Sequence, residues 1–180
     1  MADVQNLEIY QSTIRRSFYR QTLFWLWFVL GRPLLASWLP GTLWRKLLLC
    51  SFGAKIAQGG RLKPRLHVTA PWNLVIGCHC WLGEDVWIDN LDSVVLGDHV
   101  CISQSAYLCT GNHDFRRTAF DLRLAPIMIG SESWIAARAT IAPGVHVGAR
   151  SVIGLGAVLT TNVPPGVIVK GNPAVVVGPR

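Results

Sequence analysis

A mainly β fold, a parallel β-helix of hexapeptide repeats behind an N-terminal helical segment, is predicted by three observations. First, aliphatic residues recur every six positions. Ile76, Leu82 and Ile88 are so spaced; after a two-residue slip so are Leu96, Ile102 and Leu108; after a longer gap so are Ile129, Ile135, Ile141, Val147, Ile153 and Leu159. Second, Gly follows the aliphatic at 77, 83, 97, 130, 148 and 154, and small or β-branched residues stand two before it, as at Cys80, Val86, Val100, Ala139, Val145, Ser151 and Ala157. Third, 180 residues that are 51% apolar and only 15% charged exclude disorder, coiled coil and collagen, and allow one compact core.

A period of six suits no helix face, since successive residues turn through about 100°. A short strand followed by a tight turn can repeat it indefinitely, and three such units close a triangular coil whose neighbours stack about 4.8 Å apart. The aliphatic then points inward, the residue two before it must be small, and Gly lets the backbone turn. The chain divides accordingly into a helical segment, 1–65, a β-helix over 66–174 interrupted by a loop at 109–128, and a tail, 175–180.

The first segment holds ten Lys/Arg against two Asp/Glu and four of the eight Trp, whereas residues 66–180 hold seven against eight. No nucleic-acid motif accompanies this charge, so nucleic acid is not an expected partner, and basic, aromatic and aliphatic residues together suit a membrane surface. Thr22–Leu30 carries no charge but is too short to span a bilayer, and extending it to Leu39 crosses Gly31-Arg32-Pro33. No small-x-small cleavage site marks a signal peptide. Short helices are expected at about 13–30 and 34–50, with Trp25, Trp27, Trp38 and Trp44 at headgroup depth; helices that cap the core or bury an oligomer face are the alternative. Five cysteines cannot form a complete disulfide framework, and Cys78-x-Cys80 lacks zinc-ligand spacing, so a reducing compartment and no metal are expected.

From Leu108 to Ile129 the spacing is 21, not a multiple of six, so a loop must project there. Its base carries Asn112-His113-Asp114. Among the five histidines, His79 and His99 fall on coil turns, His146 precedes Val147, His67 precedes the repeat, and His113 opens the loop.

Residues 74–174 resemble the left-handed β-helix acyltransferases of the hexapeptide-repeat superfamily, through Ile76-Gly77, Leu82-Gly83-Glu84-Asp85, Leu96-Gly97-Asp98, Trp134 to Thr140, Pro143-Gly144-Val145 and Lys170-Gly171-Asn172-Pro173-Ala174. Gly111-Asn112-His113-Asp114-Phe115, Phe52-Gly53-Ala54-Lys55-Ile56 and Pro71-Trp72-Asn73-Leu74 are most similar to the O-acetyltransferases of colanic acid biosynthesis type. The resemblance implies a left-handed coil, a homotrimer, and transfer of acetyl from acetyl-CoA to a hydroxyl of a sugar or lipid-linked glycan precursor. The unpaired cysteines and the basic, Trp-rich first segment, rather than the resemblance, lead to the expectation of a cytoplasmic protein, peripheral on the cytoplasmic face of the inner membrane.

By the same resemblance His113 is the general base and Asn112 and Asp114 flank it. Asp114 or a main-chain carbonyl would fix the ring tautomer, unless Asp114 is a plain turn residue. A backbone N–H of the coils would meet the oxyanion. Asp89 and Asn90 are candidate sugar ligands. Trp134, Ala136, Ala142 and Gly154 are expected near the pantetheine arm, with Thr160, Lys170 and Arg180 nearer the nucleotide. The chain departs from the family in having Ala136 in place of Gly and Thr161 in place of a phosphate-side Lys; Lys170 would substitute. Three alternatives remain: Cys109 as a nucleophile, a non-catalytic membrane-associated assembly protein, and a gamma-type metal lyase. The last is disfavoured because no two histidines are five apart.

Overall fold

The computed structural model describes residues 5–180 apart from 13, 15 and 16. A 3₁₀ turn at Leu7–Ile9 precedes helix α1 (Phe18–Leu26), which Ser17 caps by accepting a hydrogen bond from the Arg20 N–H. The helix runs on through a π turn, Trp27–Gly31, into α2 (Arg32–Leu35); α3 (Leu43–Ser51) follows. The expected start at 13 lies outside the described residues. The expected stop near 30 and restart at 34 are corrected, because Gly31-Arg32-Pro33 does not break the helix. The π turn bonds Arg32 N–H to Trp27 O and resets the ladder, so Pro33 stands in the first turn of α2, where a missing N–H costs least.

Trp27 is also corrected. Instead of lying at headgroup depth it is buried, its indole N–H donating to the Val68 carbonyl at 3.0 Å, its ring 5.0 Å from that of Phe52. It lies across Gly31, where a Cβ would come within 2.2 Å of its ring. Trp27, Gly31 and Leu35 thus form an inward stripe, joined by Leu49 of α3, that closes the first end of the β-helix.

The β-helix has three flat sides. Its first coil is β1 (Lys55–Ile56), β2 (Arg61–Leu62) and β3 (His67–Val68); its second β4 (Leu74–Ile76), β5 (Trp81–Leu82) and β6 (Trp87–Asp89); its third β7 (Val94–Leu96), β8 (Cys101–Ile102) and β9 (Tyr107–Cys109). A hairpin, β10 (Gly111–His113) and β11 (Leu122–Leu124), projects before the fourth coil, β12 (Ile127–Ile129), β13 (Trp134–Ile135) and β14 (Thr140–Ile141). The fifth is β15 (His146–Val147), β16 (Val152–Ile153) and β17 (Val158–Leu159). Corresponding strands stack in parallel register, so side A orders β1-β4-β7-β12-β15, side B β2-β5-β8-β13-β16-β18 and side C β3-β6-β9-β14-β17. In the last coil β18 (Val167–Lys170) folds back into β19 (Val175–Pro179), an antiparallel strand formed by the expected tail. This is the left-handed parallel β-helix: the coils are those that the period predicts, and their hand is the one that the family resemblance implies.

Two expectations are refined. The ladder begins at Lys55, so the boundary placed at 65/66 falls inside the first coil; Ile56, Leu62 and Val68 already keep the six-residue spacing, hidden by the slip at Pro71–Asn73. The glycines after the inward aliphatics do not turn the chain. A Cβ on Gly77, Gly83, Gly130 or Gly148 would come within 2.4–2.7 Å of the backbone of the next coil, so these glycines permit close stacking. The turn is made two residues later, in the left-handed region, by His79, Asp85, His99, Ser105, Glu132, Arg138 and Arg150, with φ between 55° and 62°.

Candidate active site

β9 ends a side-C strand, and the chain then leaves the C–A edge of the prism. Gly111 pairs with Leu124, Asn112 with Arg123 and His113 with Leu122, so the hairpin holds His113 clear of the coils on hydrogen-bonded backbone. The imidazole is half-buried. It stacks on Phe120, with ring centroids 4.4 Å apart and planes 4° from parallel, and the Tyr10 ring lies 5.7 Å away, tilted by 60°. Its Nδ1 is 2.8 Å from the Phe120 carbonyl oxygen. A carbonyl can only accept, so Nδ1 carries the hydrogen and Nε2 presents a lone pair.

The main-chain carbonyl therefore sets the tautomer, and the tautomer role considered for Asp114 is corrected. The Asp114 carboxylate is buried, paired with Arg123 and accepting the Arg116 N–H at 3.2 Å, which fastens the hairpin. Asn112 is exposed, and its Oδ1 accepts the His113 N–H at 2.7 Å. Cys109 donates its thiol hydrogen to the Gly111 carbonyl at 3.0 Å.

The two candidate sugar ligands separate. Asp89 is half-buried on the outside of side C, accepting from Thr69 Oγ1 at 2.7 Å and from the Tyr107 phenol at 3.3 Å. Burial, with Cys109 and Asp89 adjacent, pushes the Tyr107 phenol above its usual range, so it remains a donor. Asn90 is corrected: it is fully buried, with Oδ1 accepting the Ala70 N–H at 2.9 Å and Nδ2 donating to the Ala70 carbonyl at 2.7 Å. It staples a coil corner and cannot reach a substrate.

The cofactor candidates fall on four parts of the prism. Trp134 projects from side B, its indole N–H donating to Ser103 Oγ at 2.9 Å. Ala136, Gly154 and Lys170 stack along the B–C edge, and Ala142 and Thr160 along the C–A edge above the hairpin. The N–H groups of Ala136, Ala142 and Gly154 are already donated to Ile153, Leu159 and Val169 carbonyls, so among main-chain groups only carbonyls and Cα surface remain there for a ligand. Arg180 is corrected. It bonds to the carbonyls of Glu132 and Gly166 at the A–B edge, away from Lys170 and Thr160, because β19 doubles back across the last coil.

A cavity of about 330 Å³ opens beside the hairpin, lined by Arg20, Trp72, Asn73, Leu91, Asp92 and Leu124 among others. Tyr10, Phe120 and Arg123 contribute to the site without having been found in the sequence, because the loop that holds Phe120 and Arg123 obeys no period and Tyr10 comes from the distant N-terminal turn. Among the described residues no group of three or more His, Cys, Asp or Glu side chains is placed to hold a metal ion.

No protein-family model matches the chain. It is similar to WcaF of Escherichia coli strain K12, whose name places it among colanic acid biosynthesis acetyltransferases: 39% identical over 157 residues, covering 86% of each chain. It is 30% identical over 137 residues to the galactoside O-acetyltransferase of the same organism, covering 74% of this chain and 67% of that one. Among solved structures, a hexapeptide-repeat acetyltransferase of Vibrio cholerae complexed with acetyl coenzyme A superposes with a TM-score of 0.81 at 26% identity, covering 91% of this chain and 90% of that one. A galactoside acetyltransferase in complex with coenzyme A gives a TM-score of 0.74 at 25% identity, covering 88% and 78%.

Proposed function

The chain belongs to the hexapeptide-repeat acetyltransferases, and we propose that it moves acetyl from acetyl-CoA to a hydroxyl of a sugar or glycan precursor, with His113 as general base and no covalent intermediate. The observation that carries this is the bond between His113 Nδ1 and the Phe120 carbonyl, which leaves Nε2 as the basic atom.

Nε2 accepts the hydroxyl proton as the hydroxyl oxygen adds to the thioester carbonyl. The imidazolium then returns that proton to the sulfur as the carbon–sulfur bond breaks, giving the O-acetyl ester and the free thiol. The Phe120 carbonyl faces Nδ1–H throughout and stabilises the cation between the two steps. No enzyme nucleophile is needed, because a thioester is already activated, and Cys109 is engaged with Gly111. Asp89 remains a candidate acceptor ligand, having lone pairs to spare beyond Thr69 and Tyr107.

The cofactor would run along the stacked edges, where Ala136 and Gly154 on the B–C edge and Ala142 on the C–A edge are small and Lys170 supplies a charge. Trp134 lies on side B, apart from the edge that carries His113. A homotrimer that sets side B of one subunit against the C–A edge of the next would unite them, which supports the trimer. A glycan precursor carried on a membrane lipid would place the protein at the cytoplasmic face of the inner membrane.

Replacing His113 with Ala or Asn should lower kcat about 10²–10⁴-fold while leaving acetyl-CoA affinity nearly unchanged by calorimetry. Activity within threefold of the wild type would remove His113 from the mechanism.

A further inference from the structure

We infer that the outer face of α1 to α3 docks on an anionic lipid bilayer, in the plane of the interface. The docking is independent of the acetyl-transfer reading; only its purpose rests on that reading.

The helices are apolar on both sides. Their inner stripe, Trp27, Gly31, Leu35 and Leu49, is used up against the β-helix. The opposite face carries Phe18 at 90% exposure, Trp25 at 53%, Val29 at 61%, Trp38 at 75% and Leu47 at 61%, in a single stretch of chain. A helix apolar all round is normally buried, so this outer face calls for a covering.

Charge selects the occupant. Between Glu8 and Glu84 there is no Asp or Glu, while ten Lys/Arg fall in that interval; Arg45 is buried and Arg65 is paired with Glu84 and Asp85, but Arg20 on α1 and Lys55, Arg61 and Lys63 on the first coil are exposed. A second copy of this chain would bring an equally basic surface against the first, whereas anionic headgroups complement it. Trp and Tyr suit the boundary between headgroup and acyl chain, as Trp25, Trp38 and Tyr19 would there. None of the described helices is long and apolar enough to cross a membrane, so the geometry points to a helix lying on the surface.

The arrangement also relates that surface to the reaction. Arg20, in the first turn of α1, and Leu124, in the hairpin that carries His113, line the same cavity. The 3₁₀ turn before α1 touches the same loop, with the Asn6 N–H donating to the Thr118 carbonyl at 2.8 Å and Tyr10 beside His113. Docking α1 would therefore bring the cavity to the membrane, where a lipid-linked acceptor is confined.

The test is sedimentation of the full-length protein with phosphatidylcholine vesicles and with vesicles containing phosphatidylglycerol. Binding to the anionic vesicles should be at least about tenfold tighter, since each basic residue near the surface contributes roughly fivefold, and high salt should release only part of the protein. The triple variant W25S/V29S/W38S should bind at least about tenfold more weakly, with acetyl transfer to a soluble sugar and the sedimentation coefficient unchanged. Three results would each overturn the proposal: wild type left in the supernatant with anionic vesicles at low salt; a folded triple variant that pellets like wild type; or a triple variant of smaller assembly, which would identify the face as a contact between copies. If the triple variant fails to fold, the wild type decides alone, and equal binding to both vesicles at every salt concentration overturns the proposal. Vesicle capture without any acetyl transfer would instead remove the proposed activity and leave the docking surface standing.

Discussion

Asn90 offers a sharp separation between a residue that holds the fold and one that holds a substrate. Its amide joins the Ala70 N–H and carbonyl, both of them inside a coil corner. Asn90→Ala would leave that donor and that acceptor buried without partners. Each unpaired buried group costs about 1–3 kcal/mol, so the loss should be about 2–6 kcal/mol. At roughly 2–4 °C per kcal/mol for a chain of this size, the thermal midpoint should fall by about 4–24 °C, measured by calorimetry at fixed protein concentration. Asn90→Asp adds a pH test. The carboxylate would be buried facing the Ala70 carbonyl, which favours its protonated form and raises its folded-state pKa above the unfolded value. Its penalty is then small below the unfolded pKa and grows as pH rises toward the folded pKa, so Asn90→Asp should gain on Asn90→Ala as pH falls from 7 toward about 4. The measurement is the difference between the two midpoints at each pH, which cancels the general effect of acid. A variant with an unchanged midpoint and a raised KM for the sugar would refute this reasoning and return Asn90 to the acceptor site.

Gly130→Ala places a Cβ 2.4 Å from the Ala149 nitrogen and should cost about 1–3 kcal/mol by denaturant titration, because the fourth and fifth coils would have to part; an unaltered midpoint would show that they yield freely. Arg123→Ala leaves the buried Asp114 carboxylate without its cation and loosens the hairpin, so kcat should fall about 10–100-fold and the thermal midpoint should fall as well. Wild-type kcat in that variant would mean that Asp114 does not hold His113 in place. Sedimentation equilibrium should return a mass three times the 19.8 kDa of one chain, and a fully active monomer would exclude a site shared between subunits.

The six-residue period was legible because it is a one-dimensional signal: each coil repeats the same inward aliphatic and the same small corner residue, so Ile76 and Leu159 announce the same environment without any knowledge of the intervening chain. The projecting loop was legible for the converse reason, since 21 breaks the count, and His113 stood out at its base. What decided the rest was contact between positions that no period relates. Gly77 and Gly130 look like turn residues along the chain, and only the stacked backbone above them shows that they are spacers while His79 and Glu132 make the turns. Asn90 and Asp89 are adjacent in sequence but face opposite sides of a strand end, one into a corner and one outward, so a pair that reads as a sugar site is divided by its own backbone. The partner of His113 is a carbonyl, an atom that every residue carries and no sequence marks, so only the folded hairpin could place the oxygen of Phe120 rather than the carboxylate of Asp114 against Nδ1.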